Sequence, residues 1–157
     1  MQINSDLIVR DATVEDIFFI IDILRPYIES RQLLDKSQHD VIINISNYIV
    51  IELDGGIIGC GSFYIHYKGT AEIRSLALSK QYNGLGYSKL MMNYLVNKLE
   101  SLKVKEIYCL TMIPEYFKKY GFEEIPFCKS PEVLNNDYAK CKNISGCCVN
   151  VMLKVVN

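Results

Sequence analysis

A glycine-bearing loop between a strand and a helix is the feature of this sequence best suited to binding a ligand. The strand covers about residues 70–78, the loop contains Gly84 and Gly86, and the helix begins near Tyr87. Such a junction offers unpaired backbone N–H groups and the positive end of a helix dipole, which together bind phosphate. The glycine spacing fits neither a dinucleotide-binding fingerprint nor a P-loop. The junction therefore indicates a phosphate or pyrophosphate site, with a plain tight connection as the alternative.

A charged pair stands on the strand that enters this loop. Side chains alternate along an extended strand, which predicts two opposite faces: Glu72, Arg74, Leu76 and Leu78 on one, and Ile73, Ser75 and Ala77 on the other. A carboxylate and a guanidinium among apolar residues are unusual in mid-sheet. Either they form a salt bridge at the wetter end of the sheet or they act on a substrate.

Composition limits the class of ligand. The chain has 157 residues, 50% of them hydrophobic and 22% charged, with a net charge of −1. This predicts one domain over residues 1–157 and argues against a general binder of nucleic acid or of membrane surfaces. No apolar run approaches the roughly 18 residues of a membrane span, and the N-terminus does not resemble a signal peptide. We therefore expect a cytoplasmic protein with reduced thiols and a small-molecule ligand; the sequence leaves a homodimer open.

The elements that must position these residues follow from hydrophobic periodicity. Predicted strands cover residues 7–10, 48–53, 57–67, 70–78, 107–111 and 148–156, and predicted helices begin near residues 14, 87 and 114. Pro26 is expected to end the first helix, and a further short helix is open before Asn47. Asp54-Gly55 predicts a hairpin, and Gly59 and Gly61 are expected at a bulge or a close approach. The order indicates an α+β domain with a mixed sheet.

The block from Glu72 to Leu78, followed after the loop by Ser88 to Met92, resembles the core of the GNAT-superfamily acetyltransferases. The resemblance implies a mostly antiparallel, twisted sheet of about six to seven strands flanked by about four helices. It also implies acetyl-CoA as co-substrate and no metal. The thioester and pantetheine arm would contact the backbone near Leu76, Ala77 and Leu78.

The pyrophosphate loop departs from the family pattern, which is Arg/Gln-x-x-Gly-x-Gly/Ala. Aligned without gaps, the pattern falls on Asn83, Gly86 and Ser88; a shifted register on Gln81, Gly84 and Gly86 fits literally but misplaces the loop. Losing the long basic side chain removes one charge-assisted contact, which should weaken CoA binding rather than abolish it. The expected CoA contacts in the loop and first turn are Asn83, Gly84, Leu85, Gly86, Tyr87, Ser88 and Lys89.

The resemblance also assigns roles in catalysis. Amide formation needs a base for the amine, so Glu72 is the candidate base, acting through water, and Arg74 the anchor for a substrate carboxylate. Thr111 could orient the amine or the water. Many family members carry a tyrosine general acid where this chain has Phe117; Tyr116 lies beside it, about 100° away around a helix.

Within the superfamily, the strand and the tail look closest to short, stand-alone acetyltransferases of the N-acetylglutamate synthase type. The tail matches at Pro131, Asp137, Cys141, Cys147 and Met152, but the usual Trp is Asn135 and the first Cys is Tyr138. Zinc would want four ligands, so Cys141, Cys147 and Cys148 are interpreted as structural or incidental.

The implied reaction is acetyl transfer to the α-amine of a small amino acid, with L-glutamate as the first candidate. Two alternatives stay open. One is acetylation of another amine, such as a polyamine, an antibiotic or a protein N-terminus. The other is a CoA-binding regulatory domain with little catalysis, which the altered residues Asn83 and Phe117 would favour.

Overall fold

A seven-stranded mixed sheet in the order β1-β2-β3-β4-β5-β7-β6 forms the framework of the protein. The computed structural model describes residues 5–33, 38–135, 138–139 and 149–156. The strands are β1 Leu7–Asp11, β2 Tyr48–Leu53, β3 Gly56–Ile65, β4 Thr70–Leu78, β5 Glu106–Thr111, β6 Glu123–Ile125 and β7 Asn150–Val155. The α-helices are α1 Ile17–Glu29, α2 Gln38–Ile43, α3 Tyr87–Ser101 and α4 Pro114–Lys118. The predicted α+β class, with one mostly antiparallel sheet of about seven strands and about four helices, is confirmed.

Strand β2 shows why the sheet has a core on each face. Its side chains from Tyr48 to Ile51 are buried, with Ile49 and Ile51 in the cluster that contains Leu95 of α3. Val50 points the other way, into the cluster that contains Leu24 of α1. A strand buried on both faces has a continuous apolar run, as residues 48–51 of β2 do. Helices α1 and α3 therefore cover opposite faces of the sheet.

The local predictions at the start of the chain are confirmed except for one. A helical segment begins at Val14 as predicted, and the backbone N–H of Thr13 donates to Asp16 Oδ2 at 2.8 Å in a capping box. The prediction that Pro26 ends the first helix is wrong, because α1 continues to Glu29. Pro26 deprives only the carbonyl of Asp22 of a partner, and the side chain of Asp22 is 65% exposed, so water can solvate that turn.

The hairpin between β2 and β3 is also confirmed. Asp54 and Gly55 both have positive φ, 49° and 83°, as a two-residue turn of this type requires. Strand β3 ends at Ile65, two residues before the predicted end. The three-residue β6 was not predicted; it pairs antiparallel with β7 at the edge of the sheet.

A bulge in β4 changes which side chains share a face. Cys60 of β3 lies opposite Ala77 and Ser62 lies opposite Arg74, so a single residue of β3 faces two residues of β4. Ser75, inside the bulge, has a φ of 52°. The predicted alternation therefore fails after Arg74.

Beyond the bulge, Leu76 and Leu78 join Ile73 in the core on the α3 side, while Ala77 lies in the core on the α1 side. The prediction that Leu76 and Leu78 share the face of Glu72 and Arg74 is wrong for this reason. The extra residue of the bulge reverses the order of the faces along the strand.

The sheet opens between β4 and β5. These strands pair in parallel at three positions, from Thr70 opposite Glu106 to Glu72 opposite Tyr108. Beyond Glu72, the strand that pairs with β4 is β3, and the pairing with β5 has ended. The second half of β4 therefore presents one backbone edge, from Ile73 to Leu78, to the space beside β5.

The close approach of strands around Gly59 yields a first prediction. A Cβ at this position would lie 2.7 Å from Leu78 Cδ2 and 2.8 Å from Ile51 Cγ2. We expect Gly59→Ala to lower the free energy of unfolding by about 1–3 kcal/mol, the usual cost of overpacking. Urea unfolding of the wild type and the variant measures this difference.

Gly56→Ala in the same strand is the matched control. A Cβ there would meet its nearest neighbour, the backbone oxygen of Leu53, at an ordinary 3.6 Å. Its effect should be clearly smaller. Equal losses for the two variants would contradict the packing argument and point to a general cost of removing glycine from β3.

Candidate active site

A cavity of about 610 Å³ lies where β4 and β5 separate. It is bounded by residues 73–78 of β4, by 109–113 at the end of β5 and beyond it, and by the loop before α3. Further lining residues come from α3, α4 and the segment after α1: Ser88, Met91, Tyr116, Phe117, Lys119, Tyr120, Tyr27, Gln32 and Leu33. The volume is within the range of small-molecule and cofactor sites. The cavity therefore joins the predicted phosphate loop to the predicted catalytic strand.

The anion-binding end of the cavity is the start of α3. Gly84 and Gly86 have φ values of 76° and 88°, a region that favours glycine. A Cβ at either position would have no neighbour within 4 Å, so backbone conformation rather than space requires glycine. Gly86 is the N-cap and has no side chain to cap the helix, which leaves the first-turn N–H groups available. This 15-residue helix can therefore receive a phosphate at its positive end.

Asn83 holds the loop against α1. Its Nδ2 donates to the hydroxyl of Tyr27 at 3.0 Å, and that hydroxyl donates to the backbone carbonyl of Leu78. One side chain of α1 thus ties the loop to the end of β4. The side-chain amide of Asn83 therefore stabilises the conformation of the loop, but it offers no positive charge to a bound phosphate.

The residues Glu72 and Arg74 form an ion pair. Arg74 Nη2 lies 2.7 Å from Glu72 Oε2, and His66 Nε2 lies 3.4 Å from the same oxygen. Glu72 is 2% exposed. Burial raises the pKa of Glu72, but hydrogen bonds from His66 and Arg74 outweigh it, so that the pKa lies below its ordinary value.

Arg74 stands between Glu72 and the cavity. Arg74 is among the lining residues, whereas Glu72 is not. The guanidinium carbon of Arg74 lies 4.3 Å from the ring centroid of Tyr64, and this cation–π contact helps to hold the guanidinium in place. The salt bridge proposed for these two residues is present, and their catalytic and anchoring roles stay predictions.

Thr111 and Tyr116 line the same cavity. Thr111 ends β5 and its Oγ1 accepts a hydrogen bond from the N–H of Ile113 at 3.0 Å. The hydroxyl of Tyr116 is buried and has no hydrogen-bond partner among the described residues. Burial raises the pKa of Tyr116, and the nearby hydroxyl of Ser88 acts in the opposite direction. A protonated hydroxyl with a free donor is what a general acid requires.

Phe117, where the family resemblance places a tyrosine, is part of the core. It is 6% exposed and packs edge-to-face on Phe122, with ring centroids 5.5 Å apart. Tyr116 has its own ring against Phe117 at 5.1 Å. Of these two adjacent residues, Tyr116 is therefore the one that brings a hydroxyl to the cavity wall.

The structure divides the predicted CoA contacts into two groups. The lining residues are Leu76, Ala77 and Leu78 of β4 together with Asn83, Gly84, Gly86 and Ser88. The side chain of Leu85 is 64% exposed, and neither it nor Tyr87 or Lys89 lines the cavity. Backbone N–H groups at these three positions still belong to the loop and first turn, so their contacts with CoA stay predictions.

Sequence reasoning missed several lining residues. Tyr27, Gln32 and Leu33 approach from the end of α1 and the segment after it, and Lys119 and Tyr120 approach from the end of α4. The first group carries no motif and is assembled by the fold alone. Lys119 stands in a Lys-x-Gly-Phe turn, which was a visible signal without an assigned role.

Cys60 is fully buried in the core on the α1 side of the sheet. Burial raises the pKa of Cys60 to about 12, as expected for a thiol that serves as a small hydrophobe. Asp137, Cys141, Cys147 and Cys148 lie outside the described residues. Within the described part of the chain, no group of three or more His, Cys, Asp or Glu side chains could hold a metal ion. Among the helices in that described part, none is long and apolar enough to cross a membrane.

Comparison with known proteins identifies the family. The model of the Acetyltransferase (GNAT) family matches residues 15–122, which is more than half of the chain. The chain therefore belongs to the GNAT family of acetyltransferases.

Individual relatives agree with this assignment. The chain is 28% identical over 152 residues to an uncharacterized N-acetyltransferase of Chlorobaculum tepidum, covering 97% of this chain and 98% of that protein. It is 30% identical over 119 residues to the amino-acid acetyltransferase of Vibrio vulnificus, covering 74% of this chain. That match spans 27% of the Vibrio protein, so the chain corresponds to about a quarter of such enzymes.

Solved structures share the fold. The N-acetylglutamate synthase of Neisseria gonorrhoeae, complexed with coenzyme A and N-acetyl-glutamate, superposes with a TM-score of 0.88 at 24% identity. The match covers 97% of this chain and 35% of that one. Rv2747 of Mycobacterium tuberculosis, also complexed with CoA, has a TM-score of 0.83 at 24% identity, covering 96% of this chain and 99% of that one.

The buried carboxylate of Glu72 yields a second prediction. Glu72→Gln should lower the free energy of unfolding near neutral pH by about 1.5–3 kcal/mol, because the charge-assisted hydrogen bonds are lost. The pKa of Glu72 is lowered from 4.5 in the folded state. The ionised group therefore stabilises the fold above about pH 4.5, and this contribution disappears as the pH falls through the folded pKa.

Urea unfolding between about pH 7 and pH 3 measures this dependence. The gap between the wild type and Glu72→Gln should shrink on acidification. Glu115→Gln, which alters an exposed ion pair with Lys118, is the control and should have little effect at any pH. A gap of constant size would contradict the assignment of Glu72 as an ionised, stabilising group.

Proposed function

We propose that this protein transfers the acetyl group of acetyl-CoA to the α-amine of a small amino acid, with L-glutamate as the first candidate. The observation that carries the proposal is Arg74, a guanidinium in the wall of the cavity beside the open edge of β4. A guanidinium binds a carboxylate with two parallel hydrogen bonds, which suits an amino acid better than a simple amine. The described residues that line the cavity include no acidic side chain that would repel such a substrate.

The comparisons support an amino acid as acceptor. Relatives that match about three quarters of the chain are named amino-acid acetyltransferases, and the Neisseria structure contains N-acetyl-glutamate. This chain spans about a quarter of those relatives, and we propose that it shares their class of substrate. We further propose that residues 1–157 act as one cytoplasmic domain, with a small-molecule amine as partner.

The cavity fits acetyl-CoA at several points. The start of α3 suits the pyrophosphate, and the edge of β4 that has no strand partner, at Leu76, Ala77 and Leu78, suits an extended arm that pairs with backbone groups. Acetyl-CoA supplies an activated thioester carbonyl. Backbone N–H groups aimed at the carbonyl oxygen from this edge would stabilise the negative charge that develops there.

The protein has to move two protons. The attacking amine loses one as its nitrogen bonds to the acetyl carbon, and the departing thiolate gains one when the C–S bond breaks. Glu72 receives the first through water, since its carboxylate lies behind Arg74 and outside the wall. Thr111 orients that water or the amine. Tyr116 donates the second, because its hydroxyl is buried, protonated and free to donate.

Two observations are reasons to test the alternative functions as well, namely acetylation of another amine and CoA binding without turnover. Arg74 already has a carboxylate partner at 2.7 Å, which favours testing amines without a carboxylate, such as polyamines or a protein N-terminus. Asn83 is engaged with Tyr27 rather than charged, which favours testing for CoA binding without turnover.

Calorimetry with acetyl-CoA, followed by a thiol-release assay over amino acids and simple amines, tests the proposal. We expect turnover with glutamate or another small amino acid in preference to amines that lack a carboxylate. Arg74→Ala should raise KM about 10- to 100-fold for the amino acid, the loss expected for a hydrogen bond to a charged group. Its effect on an amine without a carboxylate should be much smaller.

The outcomes separate the candidates. An equal rise in KM for both kinds of amine would remove the anchoring role from Arg74. Turnover with simple amines alone would overturn the amino-acid proposal. Binding of acetyl-CoA without release of thiol for any acceptor would favour the regulatory alternative instead.

A further prediction concerns Tyr116. Tyr116→Phe should lower kcat by about 100-fold or more, the usual contribution of a general acid, with little change in KM for acetyl-CoA. The hydroxyl has no partner in the described structure, so its removal should not lower the melting temperature. Steady-state kinetics and thermal unfolding of the same preparation measure both effects.

Tyr67→Phe is the control, because Tyr67 is 82% exposed and does not line the cavity. It should leave kcat and the melting temperature unchanged. A Tyr116→Phe enzyme with wild-type kcat would show that the thiolate obtains its proton from another source.

A further inference from the structure

Lys119 is a charged residue in the cavity wall that the roles above leave unused. Among the described lining residues, the charged side chains are Lys119 and Arg74. Arg74 is paired with Glu72 at 2.7 Å. Lys119 has no acidic partner among the described residues, although the neighbouring Lys118 is bound to Glu115 at 2.7 Å. One lysine of the pair is thus neutralised at the surface, and the other brings its charge to the cavity.

The position of Lys119 relates it to the phosphate-binding end of the cavity. Tyr116, one turn earlier in the chain, has the hydroxyls of Ser88 and Tyr120 as its polar neighbours. Ser88 is the second residue of α3. Ser88, Tyr116 and Tyr120 all line the cavity, so α4 and the first turn of α3 bound the same part of it. Lys119 lies at this end of α4.

The loop before α3 lacks a charge of its own in the cavity. Asn83 occupies the position where the family pattern has a long basic or amide side chain, and its amide is bound to Tyr27. Lys89, in the first turn of α3, does not line the cavity. Lys80 lies 5.8 Å from the ring centroid of Tyr27, also outside the lining. The part of the loop that lines the cavity therefore offers backbone N–H groups to an anion and contributes no cationic side chain to the lining.

We propose that Lys119 binds a phosphate group of CoA and supplies the positive charge that the loop lacks at Asn83. The inference rests on the proposed use of acetyl-CoA. A lysine suits this role because its long stem carries three donors on a compact charge, which can reach a phosphate without a fixed fork geometry. Phosphate bound by backbone N–H groups on one side would then be neutralised from the other.

Calorimetry with CoA on the wild type, Lys119→Met and Lys118→Met tests the proposal. Lys119→Met keeps the apolar stem and removes the charge, and it should weaken CoA binding about tenfold, with unchanged melting temperature. Lys118→Met removes a charge from the same surface and should change the affinity less than about twofold, since its partner is Glu115. Increasing NaCl should weaken CoA binding more steeply for the wild type than for Lys119→Met.

A second ligand identifies the phosphate. If Lys119 contacts the pyrophosphate, the tenfold ratio persists with 3′-dephospho-CoA; if it contacts the 3′-phosphate, the ratio disappears. Both results support the proposal. Lys119→Arg, which restores the charge, should recover most of the affinity.

The experiment distinguishes a failure of the proposed function from a failure of the role of Lys119 alone. A wild-type protein that does not bind CoA would overturn the proposed function and this inference together. A wild-type protein that binds CoA with the same affinity as Lys119→Met would overturn the role of Lys119 alone. Equal losses in Lys118→Met and Lys119→Met would reduce the effect to general surface charge and would also overturn it.

Discussion

The separation of β4 from β5 after Glu72 is the constraint on which the rest of this structure depends. Up to that residue the two strands pair in parallel, and beyond it β4 retains β3 as its strand partner. Unpaired backbone groups at a strand edge need partners from water or from a ligand. The cavity lies along this edge, with the start of α3 at one end and Arg74 in its wall. The same feature thus provides the space and the hydrogen-bonding edge of the site.

Two buried arrangements support this open edge. The bulge at Ser75 turns Leu76 and Leu78 into the core on the α3 side, which anchors β4 on the face away from Glu72. On that other face, Arg74 lies between the Glu72 carboxylate and the ring of Tyr64. An ion pair at the point where the strands part is held by packing and hydrogen bonds together. Replacing Arg74 with a residue that cannot bind Glu72 would deprive a buried carboxylate of its cationic partner.

Prediction from the sequence succeeded where a local rule applies. Asp54-Gly55 needs positive φ at both positions, and the glycine loop before Tyr87 needs open backbone N–H groups; both are present. Prediction failed where tertiary contacts decide. Gly61, expected at a bulge or a close approach, does lie opposite the bulge, but a serine at a φ of 52° carries no signal in the sequence, so the extra residue in β4 and its reversed faces were missed. Pro26 inside α1 and the three-residue β6 are set by their surroundings in the same way.

The central claim is that acetyl-CoA binds along the open edge of β4 and at the start of α3. Amide hydrogen exchange with and without CoA tests it most directly, because it reports on backbone N–H groups in solution. We predict that CoA slows exchange in residues 73–78 and 83–89, with little change in β1 and β6. Protection that is absent from both segments, or that appears at another part of the sheet, would contradict it.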